Sequence, residues 1–220
     1  MSERTVTRTI PFDHALRGRF NAWFFSALDA YINRVTAPLK RTAFGSLAAR
    51  TVVELGAGVG SNLRYLPPGA ELVAVEPNSR MHAALAKRCA QAGVELRLIT
   101  EYAERIPLAD ESVDEVICSL VLCTVADPDA VLREVRRVLR PGGRFRFVEH
   151  VAGPPRSIRS WVQRAVRRPW GWTFEGCDPH RDTAAVIERA GFQRTSVSDR
   201  ILRGSVFYPV NTAICGIAWR

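Results

Sequence analysis

The stretch Thr51–Leu63, TVVELGAGVGSNL, constrains this chain more than any other. A short apolar strand pattern carrying Glu54 runs into glycines at alternate positions, Gly56, Gly58 and Gly60, and then toward a predicted helix. Glycine lets a backbone turn tightly, take φ > 0 and come close to a ligand. A dinucleotide site prefers Gly-x-Gly-x-x-Gly, with a helix N-terminus aimed at a pyrophosphate. Here the third glycine of that pattern falls on Ser61, while the tighter Gly-x-Gly-x-Gly is complete. A second apolar run, VAVEPN, ends on Glu76, 20 residues after Gly56. An acidic side chain at that distance can accept hydrogen bonds from both hydroxyls of a ribose.

From Val52 onward, predicted strands alternate with predicted helices. Strand patterns read at VVEL, LVAVE, ELRLIT, DEVICSLVL and RFRFVEHV, and helices at Ser79–Ala92 and Pro128–Arg140, the latter closed by Pro141-Gly142-Gly143. Such alternation implies βαβ units and a parallel, doubly wound sheet. After Val151 a helix is expected over Arg156–Arg168 and another over Arg181–Ala190, ending at Gly191. Two last strands, near Gln193–Ile201 and Val210–Ala218, suggest an antiparallel hairpin at the sheet edge. Ahead of the first strand, Leu16–Val35 and Leu39–Leu47 read as two helices divided near Pro38, the first rich in aromatics.

At 220 residues the chain suits one domain with a full core. No apolar run approaches a membrane span, and MSERTVTRTIPFDH lacks the apolar core of a secretory signal, so a cytoplasmic protein is expected. Five cysteines without C-x-x-C spacing read as reduced thiols, with no disulfide framework and no metal site. The net charge of +9 invites a nucleic-acid reading, yet 29 of the 31 basic residues are Arg, spread along the chain and mixed with acids. No RNA- or DNA-binding motif accompanies them, so nucleic acid is disfavoured. An anionic partner stays open: Arg156, Arg159, Arg164, Arg167 and Arg168 flank Trp161, Val162 and Val166 on a basic amphipathic helix. Such a helix can make a peripheral membrane contact or simply pack its apolar side.

The glycine turn with Glu76 resembles the class I S-adenosylmethionine-dependent methyltransferases, and the resemblance covers nearly everything from Thr51 on. EYAERIPLADESVDEVICS looks like the segment that holds the adenine, with Tyr102-Ala103-Glu104 where the family commonly has Asp-Ala-Glu. CSLVLCTVADPDAVLREVRRVLRPGGRFRFVEHVA is more specific. Its Leu-Val-Leu-Cys, its Pro-Gly-Gly and its Glu-His, together with the later Trp-x-x-Glu-Gly-Cys (Trp172 to Cys177), resemble the methyltransferase-like alkyl thiol S-methyltransferases. The fold implied is α/β: a doubly wound seven-stranded sheet of five parallel strands plus a C-terminal antiparallel hairpin, with an N-terminal helical extension. Residues 1–47 would be that extension or lid, and residues 48–220 the methyltransferase domain.

The cofactor implied is S-adenosyl-L-methionine, held by Glu54, Gly56, Ala57, Gly58, Gly60, Glu76, Pro77, Tyr102, Ala103, Glu104, Ser119 and Leu120. The acceptor would be a small, fairly apolar molecule, an alkyl thiol by the nearest resemblance. An oxygen, nitrogen or carbon acceptor on a lipid, quinone or natural product, or a non-catalytic binding role, stays open. No obligate protein partner is evident. Of His14, His82, His150 and His180, His150 is the candidate general base, since it ends a predicted strand at the sheet edge where open α/β folds bind ligands. Glu149 could orient it or face the adjacent helix. Cys123 and Cys177 read as small apolar packers rather than nucleophiles.

Overall fold

Apolar alternation from Thr51 on builds one seven-stranded sheet in the computed structural model, which describes residues 15–220. The first 14 residues, His14 among them, lie outside the described residues. The strands are β1 (Thr51–Leu55), β2 (Glu71–Val75), β3 (Glu95–Ile99), β4 (Val113–Ser119), β5 (Leu139–His150), β6 (Arg194–Ile201) and β7 (Thr212–Trp219). Their order across the sheet is β3-β2-β1-β4-β5-β7-β6. The first five pair in parallel; β7 runs antiparallel to both β5 and β6. This is the predicted doubly wound sheet closed by a hairpin. The order reverses between β1 and β4, and a ligand crevice opens outside the C-terminal ends of those strands.

Buried runs such as Val52-Val53-Glu54-Leu55 and Leu72-Val73-Ala74-Val75 show both sheet faces covered, as parallel sheets require. The helices are α1 (Ala15–Phe44), α2 (Ser79–Ala92), α3 (Pro128–Val138), α4 (Ile158–Thr173) and α5 (Thr183–Arg189). On α3, Asp127 caps the first turn through Ala130 N–H, Pro128 sits where no donor is needed, and Val131, Leu132, Val135 and Val138 are buried.

Several local expectations are corrected. The two N-terminal helices are one, because α1 runs through Pro38. Beyond that proline, Leu39, Ala43 and Phe44 pack onto Val52, Ile117 and Val148, and this burial outweighs the lost helical hydrogen bond, a penalty of about 3 kcal/mol. No α-helix follows the glycine turn; a single 3-10 turn, Leu63–Tyr65, stands there. Pro141-Gly142-Gly143 lies inside β5, where the β4–β5 register shifts, instead of between helix and strand. β4 stops at Ser119, since Leu120 takes a left-handed φ of 62° that a strand cannot continue. On α4 the expected apolar face is reversed: Ser160 and Gln163 are buried while Trp161 is 66% exposed. Gln163 holds that inward position by accepting from Gly153 N–H and donating to the carbonyls of Val151 and Pro209.

Candidate active site

The glycine turn, the ends of β2 and β4 and the underside of α1 enclose a cleft of ≈ 300 Å³. Its walls include Glu54, Gly56, Ala57, Gly58, Glu76, Pro77, Tyr102, Ala103, Glu104, Ser119 and Leu120. All of the residues expected to bind cofactor meet there except Gly60. That glycine sits behind the turn, where an added Cβ would come within 2.9 Å of Leu63 Cδ1 and 3.1 Å of Leu85 Cδ1. Its absence of a side chain serves this packing and its φ of +83°. Gly58, by contrast, has φ +55° and borders the cleft, with Met81 Sδ the nearest neighbour of an added Cβ at 3.7 Å.

Glu76 and the turn are tied directly. Gly58 N–H donates to Glu76 Oε2 at 2.8 Å and Asn78 N–H to Oε1 at 2.8 Å. Each oxygen keeps a second lone pair for a ligand hydroxyl. Burial pushes the Glu76 carboxyl up, opposed by these two backbone donors. Glu104 Oε1 accepts from Ala126 N–H at 3.2 Å, which fixes the approach to α3.

Glu54 is the more informative acid. One oxygen accepts from Asn62 Nδ2 at 2.7 Å, while Oε2 and the Asn62 Oδ1 are buried with no partner among the described residues. Both residues line the cleft. Orphaned buried acceptors are costly unless something donates to them. Burial pushes the Glu54 carboxyl up to about 7, against the pull of Asn62 and Lys40. Burial lowers the Lys40 ammonium to about 8, and it donates to Asn33 Oδ1 at 2.9 Å.

Asn62 and Lys40 went unread as site residues, and so did Asp29, Glu175 and Arg181. Asp29 of α1 accepts from Ser61 Oγ and, at 2.8 Å, from Arg88, so it ties the N-terminal helix over the glycine turn. Glu175 accepts from Asn78 Nδ2 at 3.1 Å and is pushed up to about 8, first by burial and then by Glu76. Arg181 donates to the carbonyls of Leu122 and Val125. Glu175 and Arg181 stand in quoted motifs, but no spacing signal links Asp29 to a turn about thirty residues further on.

Beside the cleft lies a smaller apolar pocket of ≈ 100 Å³. Phe25, Ile32, Leu120 and Thr124 line both, so the two are neighbours with a common wall. His150 is here and not at the cleft, together with Cys123, Cys177, Phe24, Trp170 and Phe207. Cys123 Sγ lies 3.9 Å from His150 Nδ1 and 3.8 Å from Cys177 Sγ. That contact, with His150, lowers the Cys177 thiol and leaves Cys123 raised.

Both sulfurs and the imidazole lie within 4.8 Å of one another, a grouping that the spacing of the cysteines in the sequence does not announce. Glu149, fully buried, neither orients His150 nor faces a helix. Its carboxylate accepts from the N–H groups of Val121, Leu122 and Cys123 at 3.0–3.3 Å and from Cys118 Sγ. It thereby holds the loop that carries the strained Leu120 between the two pockets.

A methyltransferase domain family matches residues 53–147. The chain is 33% identical over 182 residues to the thiol S-methyltransferase TMT1A of Homo sapiens, covering 78% of this chain and 75% of the relative. It is 41% identical over 186 residues to the mouse thiol S-methyltransferase TMT1B, covering 80% and 76%. Among solved structures, a methyltransferase of Thermotoga maritima shares the fold with a TM-score of 0.66 at 20% identity, covering 93% of this chain and 98% of that one. A phosphoethanolamine N-methyltransferase of Haemonchus contortus, solved with S-adenosyl-L-methionine, shares it with a TM-score of 0.61 at 15% identity, covering 86% and 52%.

The cleft fits that cofactor on its own terms. Asp29, Glu54, Glu76, Glu104 and Glu175 stand on its walls beside Lys40 and Arg181, and a bound ammonium or sulfonium would favour the charged forms of Glu54 and Glu175, which burial raises to about 7 and about 8. The unpartnered Glu54 Oε2 and Asn62 Oδ1 await a donor such as that ammonium, and Glu76 presents lone pairs to a ribose. The chain belongs to the S-adenosyl-L-methionine-dependent methyltransferases, in the family that includes the mammalian thiol S-methyltransferases.

Proposed function

We propose that this enzyme methylates the sulfur of a small, apolar alkyl thiol. One observation carries the reading: the cofactor cleft shares the wall of Leu120 and Thr124 with a mainly apolar pocket in which two sulfurs and an imidazole lie within 4.8 Å of one another. The relatives named as thiol S-methyltransferases support it. When bound, S-adenosyl-L-methionine supplies a methyl group already activated by its sulfonium.

The chain's own residues then have three tasks. Glu54, Asn62, Gly58 and Glu76 hold the cofactor, with Pro77, Tyr102, Ala103 and Ser119 shaping the walls around it. Leu120, on the loop fixed by Glu149, separates the two ligands and sets the line of approach. Placement of this kind contributes about 7–11 kcal/mol to a two-reactant step. Phe24, Phe25, Ile32 and Val35 of α1 roof the acceptor pocket and exclude water, the role we assign to residues 1–47 as a lid on the domain 48–220. His150 lines the acceptor pocket, and we assign it to favouring the thiolate over the thiol.

The test is methyl transfer from labelled cofactor to a panel of alkyl thiols, phenols, amines and lipid head groups. Alkyl thiols should dominate; a phenol, amine or lipid turned over in their place moves the accepting atom. His150→Gln should lower kcat on the best thiol by about 10²-fold with cofactor Kd unchanged. An equal kcat reduces His150 to a structural residue.

We further infer that the protein works in the cytoplasm at a membrane surface. Its cysteines are free among the described residues, as a reducing compartment demands. No helix of the described residues is long and apolar enough to cross a membrane. Trp23, Trp161 and Trp172 are nonetheless about two-thirds exposed, with Arg164 over the Trp161 ring and Arg17 over the Trp172 ring. Interfacial tryptophan and arginine bind anionic lipid. Trp161→Ala should weaken sedimentation with phosphatidylserine vesicles several-fold, and equal sedimentation of both proteins removes the membrane contact.

A further inference from the structure

We propose that Cys123, His150 and Cys177 form a three-ligand site for zinc, whose open fourth position takes the sulfur of the acceptor. This deepens the thiol reading above and, for the acceptor's part, rests on it. The three residues come from three separate segments: the loop after β4, the last residue of β5 and the loop after α4. Each closes one of the motifs singled out in the sequence, Leu-Val-Leu-Cys, Glu-His and Glu-Gly-Cys. No spacing relation connects them, and only the sheet topology brings them together.

The geometry matches a tetrahedral centre. Two thiolates each about 2.3 Å from a zinc ion at the tetrahedral angle lie about 3.8 Å apart, and Cys123 Sγ and Cys177 Sγ are 3.8 Å apart. His150 Nδ1 is 3.9 Å from Cys123 Sγ. The three donor atoms lie within 4.8 Å of one another, so they can bind one ion after small rotations. Two thiolates and an imidazole are soft ligands of the type that select zinc over magnesium or calcium. A set of three protein ligands with one vacant position is the pattern of catalytic zinc; four would close the site.

All three residues line the apolar pocket, and that pocket shares Leu120 and Thr124 with the wall of the cofactor cleft, so an acceptor held there stands beside the cofactor. Binding the ion displaces one proton from each cysteine to solvent, leaving the centre with neutral charge. An entering thiol R–SH forms a sulfur–zinc bond and gives its proton to water, since a coordinated thiol is deprotonated outright. Its sulfur lone pair then forms the new S–CH3 bond as the methyl–sulfonium bond of the cofactor breaks, the bonding pair staying on the cofactor's sulfur. The product thioether is uncharged and a weaker ligand than the thiolate, so it dissociates. His150 on this account promotes the thiolate as a ligand of the ion.

The experiment uses the full chain, reduced and stripped of metal, titrated first with Zn²⁺ and then with Co²⁺ as a visible substitute. One equivalent of zinc should survive gel filtration. The cobalt form should show intense tetrahedral bands and a thiolate-to-metal transition in the near ultraviolet. Cys123→Ser and Cys177→Ser should each weaken metal retention by more than about 100-fold, because even outer-shell changes cost 10–100-fold. Cys215→Ala, whose buried sulfur lies on β7 away from the cluster, should retain it. The cobalt spectrum of the unmodified chain keeps the proposal testable if a variant misfolds.

Adding one equivalent of zinc should raise turnover of an alkyl thiol at least tenfold and leave cofactor affinity unchanged. Failure to retain zinc, or an octahedral cobalt spectrum without the thiolate transition, overturns the site. Retained zinc with unchanged turnover overturns its role toward the acceptor. Metal binding is read without any methyl transfer, so a chain that binds zinc but methylates no thiol fails the thiol reading and keeps the metal site.

Discussion

Replacing Glu54 with Gln isolates the charge that the cofactor cleft offers to an ammonium group. The side chain keeps its shape and its bond partner Asn62, and it loses only the carboxylate. Among the described residues Glu54 Oε2 has no partner, although it is buried at the cleft wall. A hydrogen bond to a charged group contributes about 1.5–3 kcal/mol, so at pH 8 the variant should bind S-adenosyl-L-methionine about 10–150-fold more weakly. The carboxyl titrates near 7, which adds a signature that simple damage would lack. At pH 6 only about one-tenth of the wild-type carboxyl is ionised, so its affinity should fall by about tenfold. The variant has no such group and should stay flat, and the gap should narrow by about that factor.

Stability adds a second readout with a definite sign. The folded-state value lies above the ordinary 4.5, so Glu54's contribution is full below 4.5 and is lost as pH rises through about 7. The ligand-free variant should therefore gain on wild type between pH 5 and pH 8, by at most about 3 kcal/mol. Lys40, which would lose its countercharge, makes that a ceiling. Calorimetric titration at pH 6 and 8, with thermal melts alongside, decides the matter. Affinities that fall in parallel across that range, or an unchanged Kd at pH 8, would refute the assignment.

Two further substitutions probe the turn and the loop. Gly58→Val forces a β-branched residue to φ +55° at the cleft wall; with a left-handed penalty of about 1–2 kcal/mol, it should weaken cofactor binding at least tenfold in a protein that still melts cooperatively. Normal binding by that variant would remove Gly58 from the site. Glu149→Ala leaves the N–H groups of Val121, Leu122 and Cys123 without their acceptor, so stability should drop by about 3 kcal/mol and Tm by about 6–12 °C; a shift under about 2 °C would mean that the loop does not depend on Glu149.

Local chemistry was enough to read the parallel core, the glycine turn and Glu76, because each depends on residues close together in the chain. Buried strands need apolar runs, a close-approach turn needs glycine, and an acid at the end of the next strand falls beside it in any βαβ unit. The edge hairpin was legible in the two last strand patterns, and the arrangement of five parallel strands plus that hairpin came with the motif resemblance. Proline 38 misled, since propensity is local while the helix beyond it is held by Leu39 and Phe44 against the sheet. The outward tryptophan of α4 misled for the same reason: Gln163 finds three backbone partners inside, and those bonds decide which face is buried.

The acceptor side lay further still from local pattern. Asp29 reaches the glycine turn from α1, Glu149 holds a loop 26–28 residues earlier in the chain, and Cys123 meets Cys177 across 54 residues. Each residue taken alone has an ordinary reading as a surface acid, a strand residue or a small apolar packer. What sequence determined was the glycine turn and Glu76, the part of the cofactor cleft whose residues lie close together in the chain. What only the tertiary structure decided was the pocket beside it, because the sheet's crossovers bring three distant segments to one edge.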